Sequence, residues 1–165
     1  MEGETLIPAI RSLGPARSGG REVFVMQLAD LVDFPSTPVL PCARFVLLIA
    51  SDFSATSADR YAIAERILSA GCVYLCTWGP SCELMHDLAD EAFAMKQLDA
   101  SSEGGTLMTT WHADESLADA VEFALRSAEP DAAFSEGCEA IVLVAVNPTA
   151  SAAELEAAAR CVLAS

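Results

Sequence analysis

The sequence predicts an α/β domain of three layers, in which helices flank a mostly parallel sheet of four or five strands. Continuous apolar runs, typical of strands buried on both faces, alternate along the chain with segments whose apolar residues recur at helical spacing. Because such alternation favours crossover connections, we expect a Rossmann-like or flavodoxin-like arrangement. The chain has 165 residues, 53% of them hydrophobic, which is enough apolar material for the core of one domain.

The first part of the chain lacks this periodicity. Residues 1–20 are rich in Gly, Pro, Ser and Arg, and we expect a flexible N-terminal arm there. The single α/β domain then occupies residues 21–165. Its first strand is expected at residues 22–28, and three prolines within residues 33–42 predict an irregular connection after it.

The later elements follow one another in regular order. Apolar runs predict strands at residues 44–50, 72–77 and 140–146, and a shorter strand is expected at residues 106–111. Amphipathic segments predict helices at residues 57–70, at about residues 80–96, and after the capping residues Ser116 and Ser151. An acid follows each of these serines three positions later, as in a capping box, and Gly71 suits the end of the first helix.

The net charge of −15 limits the possible partners. The chain carries 24 acidic and 9 basic residues, so nucleic acid and anionic membrane surfaces would both be repelled. We therefore expect no nucleic acid and no membrane among its partners. The charge could attract a basic protein, or it could serve solubility alone.

The six cysteines do not have the spacing of a disulfide framework, and Cys72, Cys76 and Cys138 lie in or beside apolar runs. Residues 1–4 lack the basic region of a signal peptide, and no apolar stretch is long enough to span a membrane. We therefore expect a cytoplasmic protein. Cys72 and Cys76 would lie roughly 13 Å apart on a strand, too far for one zinc ion. The sequence also contains no phosphate-binding glycine motif. From these two observations we expect neither a metal nor a cofactor.

The residues that follow the predicted strands are the candidates for a site, because ligands of open α/β sheets bind beyond the carboxyl ends of the strands. Both tryptophans of the chain are found at such positions. Tryptophans at strand ends can equally cover the core. The residues predicted to bind a ligand are Asp52, Trp78, Gly79, Trp111, His112 and Glu115.

A catalytic pair is a second hypothesis for the same edge. Cys82 would lie in the first turn of a helix, where the helix dipole favours a thiolate. His112 could act as its base, and Asp114 or Glu115 could orient the imidazole. The alternative is structural: Cys82 would be a small helix residue, and His112 would be a loop residue bonded to a carboxylate.

Two segments resemble a family of small bacterial proteins classed as a domain of unknown function. The first contains Trp78, Gly79 and Cys82 in a Trp-Gly-x-x-Cys turn. The second runs from Met108 to His112 and continues to an Asp-Glu pair, as Met-Thr-Thr-Trp-His-x-Asp-Glu. The resemblance covers residues 44–148. It implies a bacterial source and brings no established activity.

These observations favour a non-catalytic module that binds a small ligand or a protein partner. The alternative is a small cysteine-dependent hydrolase or transferase that uses Cys82 and His112. A homodimer is possible, because an apolar edge strand could pair two subunits.

Overall fold

The computed structural model describes residues 8–17, 20–54, 59–99 and 104–165. Within these ranges the chain alternates between strands and helices, and a short 3-10 helix (Leu31–Asp33) follows the second strand. The strands are β1 (Ile10–Pro15), β2 (Glu22–Leu28), β3 (Arg44–Ala50), β4 (Cys72–Trp78), β5 (Met108–His112) and β6 (Cys138–Val146). The helices are α1 (Arg60–Ala70), α2 (Cys82–Asp99), α3 (Leu117–Arg126), α4 (Ala132–Ser135) and α5 (Ala152–Leu163).

The sheet is mixed and mostly parallel, so the predicted α/β class is confirmed. Its strand order is β1-β2-β6-β3-β4-β5, and every neighbouring pair is parallel except β1 with β2. The described residues form six strands, whereas four or five were expected. The additional strand is β1, which lies within the segment predicted to be an arm. Its half-exposed, interrupted pattern differs from that of a buried strand.

The apolar runs form the centre of the sheet. β3 and β6 are neighbours there, and their side chains are buried on both faces. On one face the core lies beneath α1 and α2. On the other face it lies beneath α3 and α5, which also pack against each other. The helices are amphipathic because each of them covers only one face of the sheet.

The proline-rich connection after β2 packs into the same core as α1 and α2. Leu31 and Phe34 are buried in the same core as α1 and α2. Arg66 of α1 donates hydrogen bonds to the carbonyl oxygens of Val32 and Phe34. These contacts hold the connection against α1.

The helix ends largely follow the predicted signals. Ser116 caps α3, and Ser151 forms a reciprocal capping box with Glu154 at the start of α5. The first helix begins at Arg60 with Asp59 as its cap, and residues 57–58 lie outside the described residues. Gly71 ends α1 at a φ of +115°, where a Cβ atom would lie 2.1 Å from the carbonyl oxygen of Ala43. Only glycine fits there.

The five parallel strands end at the same edge of the sheet, which we call the carboxyl edge. The chain leaves β3 and β4 toward the α1–α2 face and leaves β5 and β6 toward the α3–α5 face. A crevice therefore opens between the neighbouring strands β3 and β6. In the part of the chain that the structure describes, no helix is both long and apolar enough to cross a membrane.

Candidate functional site at the carboxyl edge

The register of β4 and β5 decides how the predicted residues are grouped. Trp78 is the partner of His112, and Thr77 is the partner of Trp111. Because side chains alternate between the faces of a sheet, Trp78 and His112 lie on the α3–α5 face, whereas Trp111 lies on the α1–α2 face. The two tryptophans share an edge, but the sheet separates them.

On the α3–α5 face, His112 is the centre of a bonded group that we call the His112 cluster. The imidazole is only 4% exposed and packs against the ring of Phe123 at a centroid distance of 4.9 Å. Its Nε2 atom lies 3.1 Å from the Thr110 hydroxyl, and its Nδ1 atom lies 2.8 Å from a carboxylate oxygen of Glu115. The Trp78 indole donates a 2.9 Å hydrogen bond to the Glu115 carbonyl oxygen. Glu115 thus connects both rings.

The structure does not bring Cys82 and His112 together. Cys82 is 1% exposed and belongs to the core beneath α1 and α2, on the opposite side of the sheet from the imidazole. Both ring nitrogens of His112 have other partners, as the structural alternative expects. Of the two acids proposed to orient the ring, Glu115 makes the contact and Asp114 is exposed to solvent.

The remaining strand cysteines are core residues. Burial raises the pKa of the Cys76 thiol to about 12, with only partial opposition from a hydrogen bond with Thr110. Burial likewise raises the pKa values of Cys72 and Cys138. These thiols stay protonated at neutral pH and are poor nucleophiles. All six cysteines, each within the described ranges, are free thiols.

Gly79 has a backbone role in the turn after β4. Its φ is +115°, and a Cβ atom would lie 2.1 Å from the carbonyl oxygen of Ser51. A groove of about 440 Å³ lies beside this turn, between Trp78, Cys82 and Glu115. Because residue 79 is glycine, the turn after β4 can pass close to the end of β3 at the carboxyl edge.

On the α1–α2 face, Trp111 is 44% exposed and contacts a histidine that the sequence did not predict there. The rings of Trp111 and His86 meet edge to face at 4.5 Å. The His86 Nδ1 atom lies 2.9 Å from Asp87, and Asp90 accepts a 2.9 Å hydrogen bond from the hydroxyl of Thr109. We call Met108, Trp111, His86, Asp87 and Asp90 the β5 edge surface. The i, i+4 spacing of His86 and Asp90 was the signal for a shared helix face.

Asp52 lies apart from both tryptophans, in the crevice between β3 and β6. This crevice encloses about 270 Å³. Its lining residues come from the ends of three parallel strands: Asp30, Leu31, Ser51, Asp52, Val146, Asn147, Pro148 and Thr149. The sequence analysis named Asp52 as a candidate but not Asp30. The strand order that places β2 beside β6 cannot be read from the sequence, so nothing pointed to the residues after β2.

A family profile for a domain of unknown function, DUF7684, matches residues 23–161 of the chain. No curated protein matches the chain. The profile spans β2 to α5 and therefore both faces of the carboxyl edge. The chain belongs to this family, in agreement with the resemblance seen in the sequence.

Proposed function

For this member of a family without an assigned activity, we propose a non-catalytic interaction module that binds an extended, basic segment of a protein partner along β5. The observation that carries the proposal is the open edge of this strand. Among the described residues β5 pairs only with β4, and it ends the strand order of the sheet. Met108 and Trp111 are 38% and 44% exposed there.

The backbone of β5 supports the addition of a strand. An edge strand presents unpaired N–H and C=O groups, and monomeric proteins protect such edges with charges, proline or bulges. The strand from Met108 to His112 contains no proline and no Asp, Glu, Lys or Arg, and it pairs with β4 without a bulge. An added segment would gain main-chain hydrogen bonds, and its side chains would contact Met108 on one face and Trp111 on the other.

Trp111 is the expected anchor of the interaction. A half-exposed indole offers a large apolar area, and tryptophan is enriched among the residues that dominate binding energy. The ring already rests against His86, which is held by Asp87 and lies close to Asp90. Binding would therefore bury the ring without first ordering it, which reduces the entropic cost of association.

The charge of the surface specifies a basic segment. Asp87 and Asp90 both lie against His86, which packs on the Trp111 ring, and the whole chain carries −15. Opposite charge in the partner accelerates association and discriminates against other partners. A second copy of this chain would bring the same negative charge to the edge, so a homodimer through β5 is the less favoured occupant.

We also propose a Rossmann-like chain order and a bacterial, cytoplasmic location. Strands β3 to β6 lie in the order β5-β4-β3-β6, which corresponds to the 3-2-1-4 order of a Rossmann sheet. β2 occupies the next position, where a Rossmann sheet has a later strand. The free thiols are compatible with a reducing compartment.

The cysteine-dependent enzyme is the weaker hypothesis. It requires a reactive thiolate with a base in reach. The burial of Cys82 and the bonded ring nitrogens of His112 argue against that arrangement. A thiol-reactivity profile across pH tests it directly. Reaction of Cys82 faster than a free thiol near neutral pH would support the enzyme.

Hydrogen exchange with model peptides tests the interaction module. The probes are an eight-residue peptide of alternating valine and lysine, and its counterpart of valine and glutamate. We expect the basic peptide to slow the exchange of β5 amides at least tenfold, and the acidic one to leave it unchanged. Trp111→Ala should weaken binding by about 30-fold, the loss typical of an anchor residue.

The matched control is Val39→Ala, since Val39 is also an exposed apolar side chain, at 73%, but lies in the proline-rich connection. It should leave peptide binding unchanged. Protection of amides elsewhere, or equal protection by both peptides, would contradict the proposal. If the protein alone dimerises in sedimentation velocity and Trp111→Ala abolishes the dimer, the occupant is a second copy and the basic-segment proposal fails.

A further inference from the structure

The crevice between β3 and β6 is a second candidate for a binding site, and it does not involve β5. It lies where the chain leaves two neighbouring parallel strands toward opposite faces, the position at which open α/β sheets bind small ligands. Its volume of about 270 Å³ suits a molecule of monosaccharide size or smaller.

Ser51 provides the observation that points to a ligand. It lines the crevice and is 2% exposed. Its backbone N–H donates to the carbonyl oxygen of Trp78, but its hydroxyl has no hydrogen-bond partner among the described residues. Buried hydroxyls in native proteins are nearly always bonded, to protein, water or a ligand. The Ser51 hydroxyl is therefore available to an occupant of the crevice.

The other polar groups of the crevice select against anions. Asp30 and Asp52 line it, and none of the described residues that line it is basic. The Asn147 side-chain oxygen accepts a 3.0 Å hydrogen bond from Gln27, so the donors of this side chain are not used in that bond. Two carboxylates, a hydroxyl and an amide favour a ligand with hydroxyl groups and a positive charge.

The helices that follow β3 and β6 oppose phosphate as well. An uncapped helix N-terminus attracts anions. Here, however, the Asp59 carboxylate accepts from the backbone N–H groups of Tyr61 and Ala62 at the start of α1. At the start of α5, Ser151 and Glu154 satisfy each other's N–H groups. Both positions that bind phosphate in nucleotide-binding sheets are thus already occupied by side chains of the protein.

We propose that the crevice between β3 and β6 binds a small hydroxylated primary amine, an amino alcohol or an amino sugar. The ligand's hydroxyl group bonds to Ser51, and its ammonium group lies between Asp30 and Asp52. The inference goes beyond the partner-binding function, because it uses neither β5 nor Trp111.

An NMR titration of the backbone amides tests this site. The probes are glucosamine, ethanolamine, glucose and glucose 6-phosphate. We expect saturable shifts at Ser51, Asp52 and Asn147 with glucosamine and ethanolamine, at least tenfold weaker binding of glucose, and no binding of glucose 6-phosphate. Sodium chloride at equal ionic strength controls for charge alone.

Two variants separate the roles of the wall residues. Ser51→Ala removes a hydroxyl that has no partner among the described residues, so it should leave the melting temperature unchanged and weaken glucosamine binding at least tenfold. Asp52→Asn retains an oxygen that can accept from Ser54 and should reduce the preference for glucosamine over glucose at least fivefold. Absence of crevice shifts at 50 mM of each probe would overturn the proposal. So would unaltered glucosamine affinity in Ser51→Ala. Neither result would affect the proposal for β5.

Discussion

The two edge strands of the sheet, β1 and β5, both present unpaired backbone groups, but they differ in the features that discourage pairing with another chain. β1 is interrupted by a bulge between Ser12 and Gly14, ends in Pro15 and carries Arg11, which is paired with Glu156 of α5. The N–H of Gly14 donates to the Ser12 hydroxyl. Bulges, proline and charge each discourage strand addition. β5 has none of these features, and its exposed residues include a tryptophan.

The edges also differ in how they are attached to the domain. β5 is anchored through His112, which is buried against Phe123 and bonded to Thr110 and Glu115. β1 pairs with β2 and packs Ile10 and Leu13 against the two cores, and its ion pair with α5 lies at the surface, where such pairs are worth little in water. The edge proposed to bind a partner is therefore the one that carries a buried, hydrogen-bonded histidine. A firmly held template binds a segment with less ordering cost.

Loss of the β5 anchor should have the largest effect on stability. His112→Ala removes a buried ring, leaves a cavity and deprives Thr110 and Glu115 of their partner. We expect a loss of about 2–4 kcal/mol in the free energy of unfolding, measured by urea denaturation. Glu115→Gln retains an acceptor next to the ring and should cost less than half as much. Equal stability of His112→Ala and the parent would show that the His112 cluster does not anchor β5.

A charged residue introduced into β5 should discourage strand addition there, as the features of β1 do at the opposite edge. Met108→Lys places a positive charge where the basic peptide is expected to pair, and we expect binding at least tenfold weaker by hydrogen exchange, with little change in stability. Val39→Lys makes the same change in charge away from both edges. Unchanged peptide affinity in Met108→Lys would place the peptide elsewhere.

The β1 bulge should contribute a smaller amount through backbone conformation. Gly14 has a φ of +92°, and a Cβ atom there would meet nothing within 4 Å. Gly14→Ala therefore tests conformational strain without a steric clash, and we expect about 1 kcal/mol of destabilisation by urea denaturation. Gly137, with a φ of +79° and similar open space, offers a matched control at a loop before β6. A much larger loss at Gly14 would mean that the bulge organises β1.

The smallest effect is expected from the ion pair of β1, and it should depend on pH. Hydrogen bonds from Arg11 and then Arg160 lower the pKa of Glu156 from 4.5 to about 2. Since the pKa of the folded state is the lower one, the stabilisation is complete above the unfolded value and disappears as pH falls through about 2. The difference in melting temperature between the parent and Glu156→Gln should shrink between pH 5 and 2. A difference that grows on acidification would contradict this assignment.

Sequence patterns were a reliable guide to the interior of the sheet and located the edge strand β5, but they missed the other edge strand, β1. The runs at residues 44–50 and 140–146 became β3 and β6, because strands buried on both faces must be apolar throughout. β1 was missed for the opposite reason. An edge strand with a bulge and a proline has few buried positions, so its residues carry little pattern.

The residues predicted to form one site lie in three separate places along the carboxyl edge. Chain position correctly placed Trp78, Trp111 and Asp52 at the carboxyl edge, because parallel strands end together. It could not assign their faces. Which side of the sheet a strand-end residue occupies depends on register, and a shift of one residue exchanges the faces. His112 is placed by the register of β5, whereas Cys82 lies on the opposite side because it begins α2, which covers the other face.

The sequence alone determined the α/β class, the core strands, the helix caps and the acidic surface, because these depend on local patterns and composition. Only the tertiary structure decided the strand order, and with it the crevice between β3 and β6 and the open edge at β5. The physical reason is that strand neighbours pair through backbone groups common to all residues. Side chains therefore specify which segments become strands more directly than which strands become neighbours.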